Sequence, residues 1–344
     1  MTRVPSRRMM PLPCLQRDGT KPKFSADICL KRVTQDNTMD RFNGTVAVWF
    51  GMHHHGHDSR DWNNIREFGG PYHPLLGYYR SDDPEVLRTH LHWMRRAGID
   101  MIVYDMCPCE EAKPALTDLS RDRSLHLLAD ELSNQRNESR KLSLCVWIEK
   151  YADDPTVEEY QCVMDYVRAH FSDKDWYYRY NGKPLIVTYL NGVNRAVGQI
   201  ERDNRYFELR RVRPYYCDVW SYVEEYPQLI RTDWISVSPG HDAYMELAYQ
   251  AKYLRKEPSP DFQAIRNQCR PVDREDGNAY RRQLEWAMQN NPDIIFVSGW
   301  NDWQYCLQIE PAVEYGRQYL DLTAQLTGRW DETAPYREDE CQLP

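Results

Sequence analysis

From Thr45 onward, short apolar runs alternate with amphipathic stretches. The runs are Thr45 to Phe50, Asp100 to Asp105, Ser143 to Glu149, Pro184 to Tyr189, Tyr216 to Trp220, Trp234 to Ser238 and Asp293 to Gly299. Each is apolar at most positions and ends in polar or aromatic residues, as strands covered on both faces do. Between them the period changes. Asp83-Pro84 opens a helix with proline in its first turn, and Leu87, Leu91 and Met94 follow at helical spacing before Gly98. Further helical segments are expected near Ser120 to Asn137, Thr156 to Phe171, Asp242 to Leu254, Asn278 to Asn290 and Pro311 to Leu326. Strands interleaved with helices, with an eighth strand hidden in the irregular parts, predict an α/β chain folded as a single (β/α)8 barrel of the TIM type. The alternative is a doubly wound open sheet, which is disfavoured because no glycine-rich phosphate loop follows any strand.

Outside that alternation, residues 1–40 carry no sustained period and read as an irregular N-terminal arm. Residues 41–330 form the expected barrel and 331–344 a C-terminal tail. The charged, proline-bearing stretch from Lys256 to Asp276 reads as a long loop over the barrel mouth.

Composition narrows the partners. The 344 residues carry 44 basic and 52 acidic side chains, a net charge of -8, with no basic stripe to engage nucleic acid. No stretch approaches the roughly 20 apolar residues of a membrane span. Pro5, Pro11 and Pro13 break any apolar core of a secretory signal, so the chain reads as cytoplasmic or already processed. Ten cysteines are scattered, several inside apolar runs, where reduced core thiols are expected. Trp (11) and Tyr (24) far outnumber Phe (8), so rings with a polar handle dominate, as at half-buried interfaces or sugar platforms.

In a parallel-stranded barrel, the carboxyl ends of the strands line the active-site mouth. Those ends supply His53, His55 and Trp62 after the first strand, then Asp105, then Trp147, Glu149 and Tyr151, then Tyr189. Later strands add His241 and Asp242, and finally Trp300, Asn301, Asp302 and Trp303. Carboxylates, amides and rings in one cavity suit a glycan of oligosaccharide or polysaccharide type. Glycosidic cleavage usually needs two carboxyl groups, for which Asp302, Glu149, Asp105 and Glu310 are the candidates. Glu310, just before Pro311, reads either as a helix-start carboxylate or as part of the binding set. The spaced histidines invite a metal, but barrel metal sites draw ligands from several strands, so they are assigned to a hydroxyl-binding rim and no cofactor is expected.

These segments, in this order, resemble glycoside hydrolase family 99, the endo-α-mannosidase and endo-mannanase family, and its family 71/99-like, WbsX-like relatives. The resemblance rests on Val48-Trp49-Phe50-Gly51, on Pro74 to Pro84 including Tyr79, on Trp147 to Tyr151, on Ser236 to Asp242, and on Ser298 to Trp303 with Gln308-Ile309-Glu310. It implies a (β/α)8 barrel, a glycan across the strand tips and retaining cleavage without a cofactor. The family's last motif reads Asn-Glu-Trp-His-Glu, its first Glu acting on the sugar 2-hydroxyl and its second as general acid and base. Here Asp302 stands at the first position and Tyr305 at the second. A phenol with an ordinary pKa of about 10 is a poor proton donor near neutrality. Either another carboxylate, Glu149 or Asp105 foremost, supplies the acid, or Tyr305 acts with a perturbed pKa, or the barrel binds sugar without cleaving it.

Overall fold

A computed structural model describes residues 41–52, 54, 56–106, 123–148, 156–189, 195–212, 233–269 and 271–329. The expected N-terminal arm, the C-terminal tail and the strand expected over Tyr216 to Trp220 lie outside the described residues. The strands are β1 (Thr45–Phe50), β2 (Met101–Asp105), β3 (Ser143–Ile148), β4 (Arg179–Tyr180), β5 (Lys183–Tyr189), β6 (Glu208–Val212), β7 (Trp234–Val237) and β8 (Ile294–Val297). They form one eight-stranded sheet in the order β6-β5-β3-β2-β1-β8-β7, all parallel, with β4 antiparallel to β5. Parallel strands need helical crossovers on their faces, which explains why β1, β2 and β3 are almost wholly buried and apolar.

The sheet is curled. Trp147 on β3 and Phe296 on β8 stack with ring centroids 6.3 Å apart, although β2 and β1 lie between their strands. In a flat sheet three strand spacings would hold them about 14 Å apart. Both rings must therefore fill the concave side. Residues level with each other in a parallel pair share a face, so the concave side also receives Ala47 and Trp49 of β1, Val103 and Asp105 of β2, and Arg210 of β6. At the edges, Arg210 ion-pairs with Asp233 at 2.8 Å and lies 4.9 Å over the Trp234 ring that begins β7. Among the described residues, β6 and β7 meet through these side chains rather than through backbone pairing.

Among the described residues the helices are α1 (Arg60–Phe68), α2 (Pro84–Arg96), α3 (Arg123–Ser133), α4 (Val157–His170), α5 (Arg195–Asp203), α6 (Tyr244–Tyr249), α7 (Phe262–Gln268), α8 (Asn278–Asn290) and α9 (Gln318–Leu326). In α2, Asp83 caps the Glu85 N–H, Pro84 occupies the first turn and Arg95 and Arg96 the last. Its buried stripe of Leu87, His90, Leu91 and Met94 packs inward.

Three expectations are corrected. The last helix begins at Gln318, not at Pro311, because the intervening backbone hydrogen-bonds to the loop at 73–75 (Leu75 N–H to Pro311 O, 2.9 Å; Val313 N–H to His73 O, 2.9 Å). The stretch from Lys256 to Asp276 is not all loop: it contains α7, capped by Asp261. Strand β6 (Glu-Leu-Arg-Arg-Val) went unread because its concave positions carry Glu208 and Arg210 in place of apolar residues.

Candidate active site

Backbone register sets the mouth. Phe50 is level with Tyr104, so Gly51, the next residue after β1, stands level with Asp105 at the tip of β2. On the other flank of Gly51, Asn301 replaces a strand with one side chain. The Gly51 N–H donates to Asn301 Oδ1 at 3.0 Å, and Asn301 Nδ2 donates back to the Gly51 carbonyl at 2.6 Å. The Trp300 N–H donates to the Trp49 carbonyl at 2.7 Å. Gly299 permits this path, since a Cβ there would lie 2.8 Å from the Leu307 carbonyl oxygen. Asp105 and Asp302 are thus held on opposite sides of Gly51, 6 % and 7 % exposed.

Several rings expected to stack on sugar are instead enclosed by protein. Trp62, Trp147, Trp300 and Trp303 are all buried. The indole of Trp303 donates to Glu310 Oε2 at 3.0 Å, and the Tyr79 hydroxyl donates to the same oxygen at 2.8 Å. Trp300 Nε1 donates to His90 Nδ1 at 3.2 Å, which puts the ring hydrogen on Nε2. That nitrogen faces Glu310 Oε1 across 3.3 Å, a polar N–H to carboxylate contact short of an aligned hydrogen bond. Trp62 Nε1 closes the wall by donating to the Tyr79 carbonyl at 3.0 Å. Tyr79, Asn301, Trp303 and Glu310 therefore come together, but as a buried wall behind β8 and under α2. Glu310 caps no helix. Burial, and next the Glu310 charge, raise the Tyr79 phenol well above its ordinary range. His90 was missed, although a histidine inside the apolar stripe of α2 was a legible sign of a buried partner.

A second buried polar group lies beside the first. His54 stacks on Trp62 (4.3 Å) and approaches Asp61 at 3.5 Å. Gln304 donates through Nε2 to Asp61 Oδ1 at 2.6 Å and accepts on Oε1 from Asn64 Nδ2 at 3.0 Å. The middle histidine of the run thus turns inward to pack. Among the described residues no group of three or more His, Cys, Asp or Glu is placed to hold a metal. His53, His55, Glu149 and Tyr151 lie outside the described residues, and Tyr189 closes β5.

Beyond β7, the Gln283 amide grips Ser238 at both backbone groups (3.0 and 2.9 Å), fixing the exit of the strand. His241 then pairs with the Val272 backbone, and the Asp242 N–H donates to the Tyr305 carbonyl at 2.8 Å. The Tyr305 ring stacks on His241 at 6.0 Å and 10°. Asp242 is engaged on both oxygens, by the Tyr244 N–H and by Arg266. His241, Asp242 and Tyr305 form one cluster beside a hollow of about 130 Å³ that also touches Tyr72, Arg274 and Cys306. Arg274 is buried in a cage of the Tyr72, Tyr315 and Tyr319 rings (4.5, 5.1 and 4.8 Å) and donates to the Cys306 and Gln308 carbonyls. It thereby holds the turn that carries Asp302 and Tyr305.

Burial lowers the His241 imidazole from 6.5 to about 4, against an opposing pull from Asp242. The unfolded chain keeps the ordinary value, so between pH 6.5 and 4 it takes up a proton that the folded protein refuses. Stability from this group is complete above that window and falls as pH drops through it, by up to about 3 kcal/mol. Wild type is expected to lose up to about 3 kcal/mol more than His241→Asn as pH falls from 6.5 to 4, while the offset between their thermal melts stays constant above pH 6.5. Parallel curves across the window would remove His241 from the account.

A curled parallel sheet with carboxylates at its strand tips is an architecture shared by barrel enzymes of many chemistries. The model of glycosyl hydrolase family 99 matches residues 32–196 of the chain. The chain is 24% identical over 305 residues to the glycoprotein endo-alpha-1,2-mannosidase-like protein of Homo sapiens, covering 77% of this chain and 65% of that protein. To the glycoprotein endo-alpha-1,2-mannosidase of Mus musculus it is 23% identical over 299 residues, with 77% and 64% covered. The chain thus spans just under two thirds of the length of these curated relatives. Among solved structures, the family 99 endo-alpha-mannosidase of Bacteroides thetaiotaomicron in complex with bis-tris-propane superposes with a TM-score of 0.56 at 16% identity, over 84% of this chain and 98% of that one. A glycoside hydrolase-like protein gives a TM-score of 0.53 at 14% identity, over 83% and 94%. At such identities the likeness speaks to fold alone.

Proposed function

We propose that the sheet closes into a (β/α)8 barrel whose C-terminal face hydrolyses a glycan containing α-linked mannose, by carboxylate acid/base chemistry and from within the glycan chain. The observation that carries the reading is the flanking of Gly51 by Asp105 and Asn301-Asp302. Two strand spacings separate those backbones, about 10 Å. Side chains leaning inward from such positions reach the roughly 5–9.5 Å separation of paired glycosidase carboxyls. In this reading Asp302 is the base or nucleophile, and Asp105 or Glu149 protonates the leaving oxygen. Tyr305, stacked on His241, contributes a hydroxyl and a ring face to binding. The names of the curated relatives and the family match support mannose as the sugar.

Tyr305 also favours a second reading, a barrel that binds glycan without cutting it, because a phenol occupies the family's acid position. Incubation with a panel of mannose-containing and mannose-free glycans, followed by chromatography of released oligosaccharides, separates the two. Products from the mannosylated members alone are the expected result. Measurable affinity with no product would establish the binding barrel instead.

A further inference from the structure

A second cavity, apart from the hollow at His241 and Asp242, lies against α1. This open cleft of about 560 Å³ lies between α1 and the end of α6, where the chain continues as a π-helical turn, Gln250–Leu254. We propose that this cleft is a distal glycan subsite, binding a neutral oligosaccharide several residues away from the bond that is cut. It rests on the glycan reading above and extends it to a long substrate.

Size alone admits a ligand, since binding clefts run to roughly 300–1,000 Å³. Chemistry narrows which one. The lining carries Arg60 and Arg66 against Asp58 and Glu67, so its formal charges cancel. Arg60 is ion-paired to Glu246, and Glu67 to Lys252. The lining is thus neutral overall, which suits a polyhydroxylated neutral ligand, able to use these donors and acceptors together, better than one of strong net charge. The rings complete the pattern. Tyr249 and Tyr253 lie 5.3 Å apart at 41°, and Tyr253 is 43 % exposed, a large ring left open to water. An exposed aromatic surface bordered by guanidinium, amide and carboxylate groups is how proteins hold sugar rings.

Two further observations tie the cleft to function. π-turns are rare and concentrate at functional sites, and this one carries Tyr253 to the cleft edge. At the cleft floor, Asn64 donates to Gln304, which stands between Asp302 and Tyr305 in the chain. The wall of the distal cleft and the turn that bears the candidate catalytic carboxylate are thus one hydrogen-bonded unit.

Calorimetric titration with an α-linked mannose disaccharide and an α-linked mannose hexasaccharide tests the proposal. Tyr253→Ala is expected to weaken hexasaccharide binding about five- to tenfold and to leave the disaccharide unchanged. Tyr253→Phe, which keeps the ring but loses its hydrogen bond to Glu67 (2.7 Å), is expected to bind the hexasaccharide as wild type does. Equal hexasaccharide affinity for wild type and Tyr253→Ala would overturn the subsite while leaving the glycan reading in place. Equal losses for both ligands would overturn it too, as a general loosening of the fold. Failure of the wild type to bind either ligand would bring down both.

Discussion

Asp302→Asn is expected to lower turnover on a cleaved glycan by about a hundred- to ten-thousandfold, the range that a positioned acid or base contributes. The substitution keeps shape and hydrogen-bonding reach while deleting the carboxylate. Backbone contacts help to position residue 302: the Asn301 side chain on Gly51, Trp300 on Trp49, and the Leu307 N–H on the Asp302 carbonyl oxygen at 3.1 Å. None of these contacts changes when the side chain does. The melting temperature is therefore expected to stay near that of wild type, and affinity for uncleaved glycan to persist. The paired measurement is decisive: full activity in the variant excludes Asp302 from the chemistry. Activity lost together with a collapse in melting temperature would instead give the residue a structural role. Asp105→Asn, with its carboxylate across Gly51, separates the acid assignments: a comparable loss names Asp105 as the partner, and retained turnover directs attention to Glu149.

Most of the parallel strands were legible because burial on both faces leaves an unbroken apolar run, as in Val46-Ala47-Val48-Trp49-Phe50. The reading failed where physics permits polar residues inside an element. Strand β6 turns Arg210 toward the concave side, where Asp233 and the Trp234 ring compensate it, and no local pattern announces a partner 23 residues away. Helix α1 carries few apolar residues but hides Asp61 and Asn64 by pairing them to Gln304. The strand tips were legible as a set of residue types, yet not their sidedness. A tryptophan at a strand end reads the same whether it faces the cavity or the helix layer. Only the close backbone approach at Gly299 and the Asn301 clamp turn Trp300 and Trp303 outward, toward His90 and Glu310.

That outward wall predicts the largest stability effect. Glu310 is wholly buried, and its two oxygens face the Tyr79 hydroxyl, the Trp303 indole and His90 Nε2. Glu310→Ala strands all three donors away from water and opens a cavity between α2 and the β8 exit. Each donor stranded away from water costs about 1–3 kcal/mol, a total of about 3–5 kcal/mol, which for a chain of this size lowers the melting temperature by roughly 5–10 °C. Glu310→Gln tests the geometry more finely. Its amide oxygen can accept from Tyr79 and Trp303, but its NH2 then meets the hydrogen on His90 Nε2, donor against donor. The ring cannot exchange its hydrogen to relieve the clash, because Nδ1 is already accepting from Trp300. A cost of about 1–3 kcal/mol is expected for Gln, between wild type and Ala, with Tyr79→Phe smaller still because Trp303 continues to satisfy the shared oxygen. Scanning calorimetry ranks the four proteins. A Gln variant as stable as wild type would mean that the His90 hydrogen does not point at Glu310, and the tautomer drawn from Trp300 would have to be abandoned.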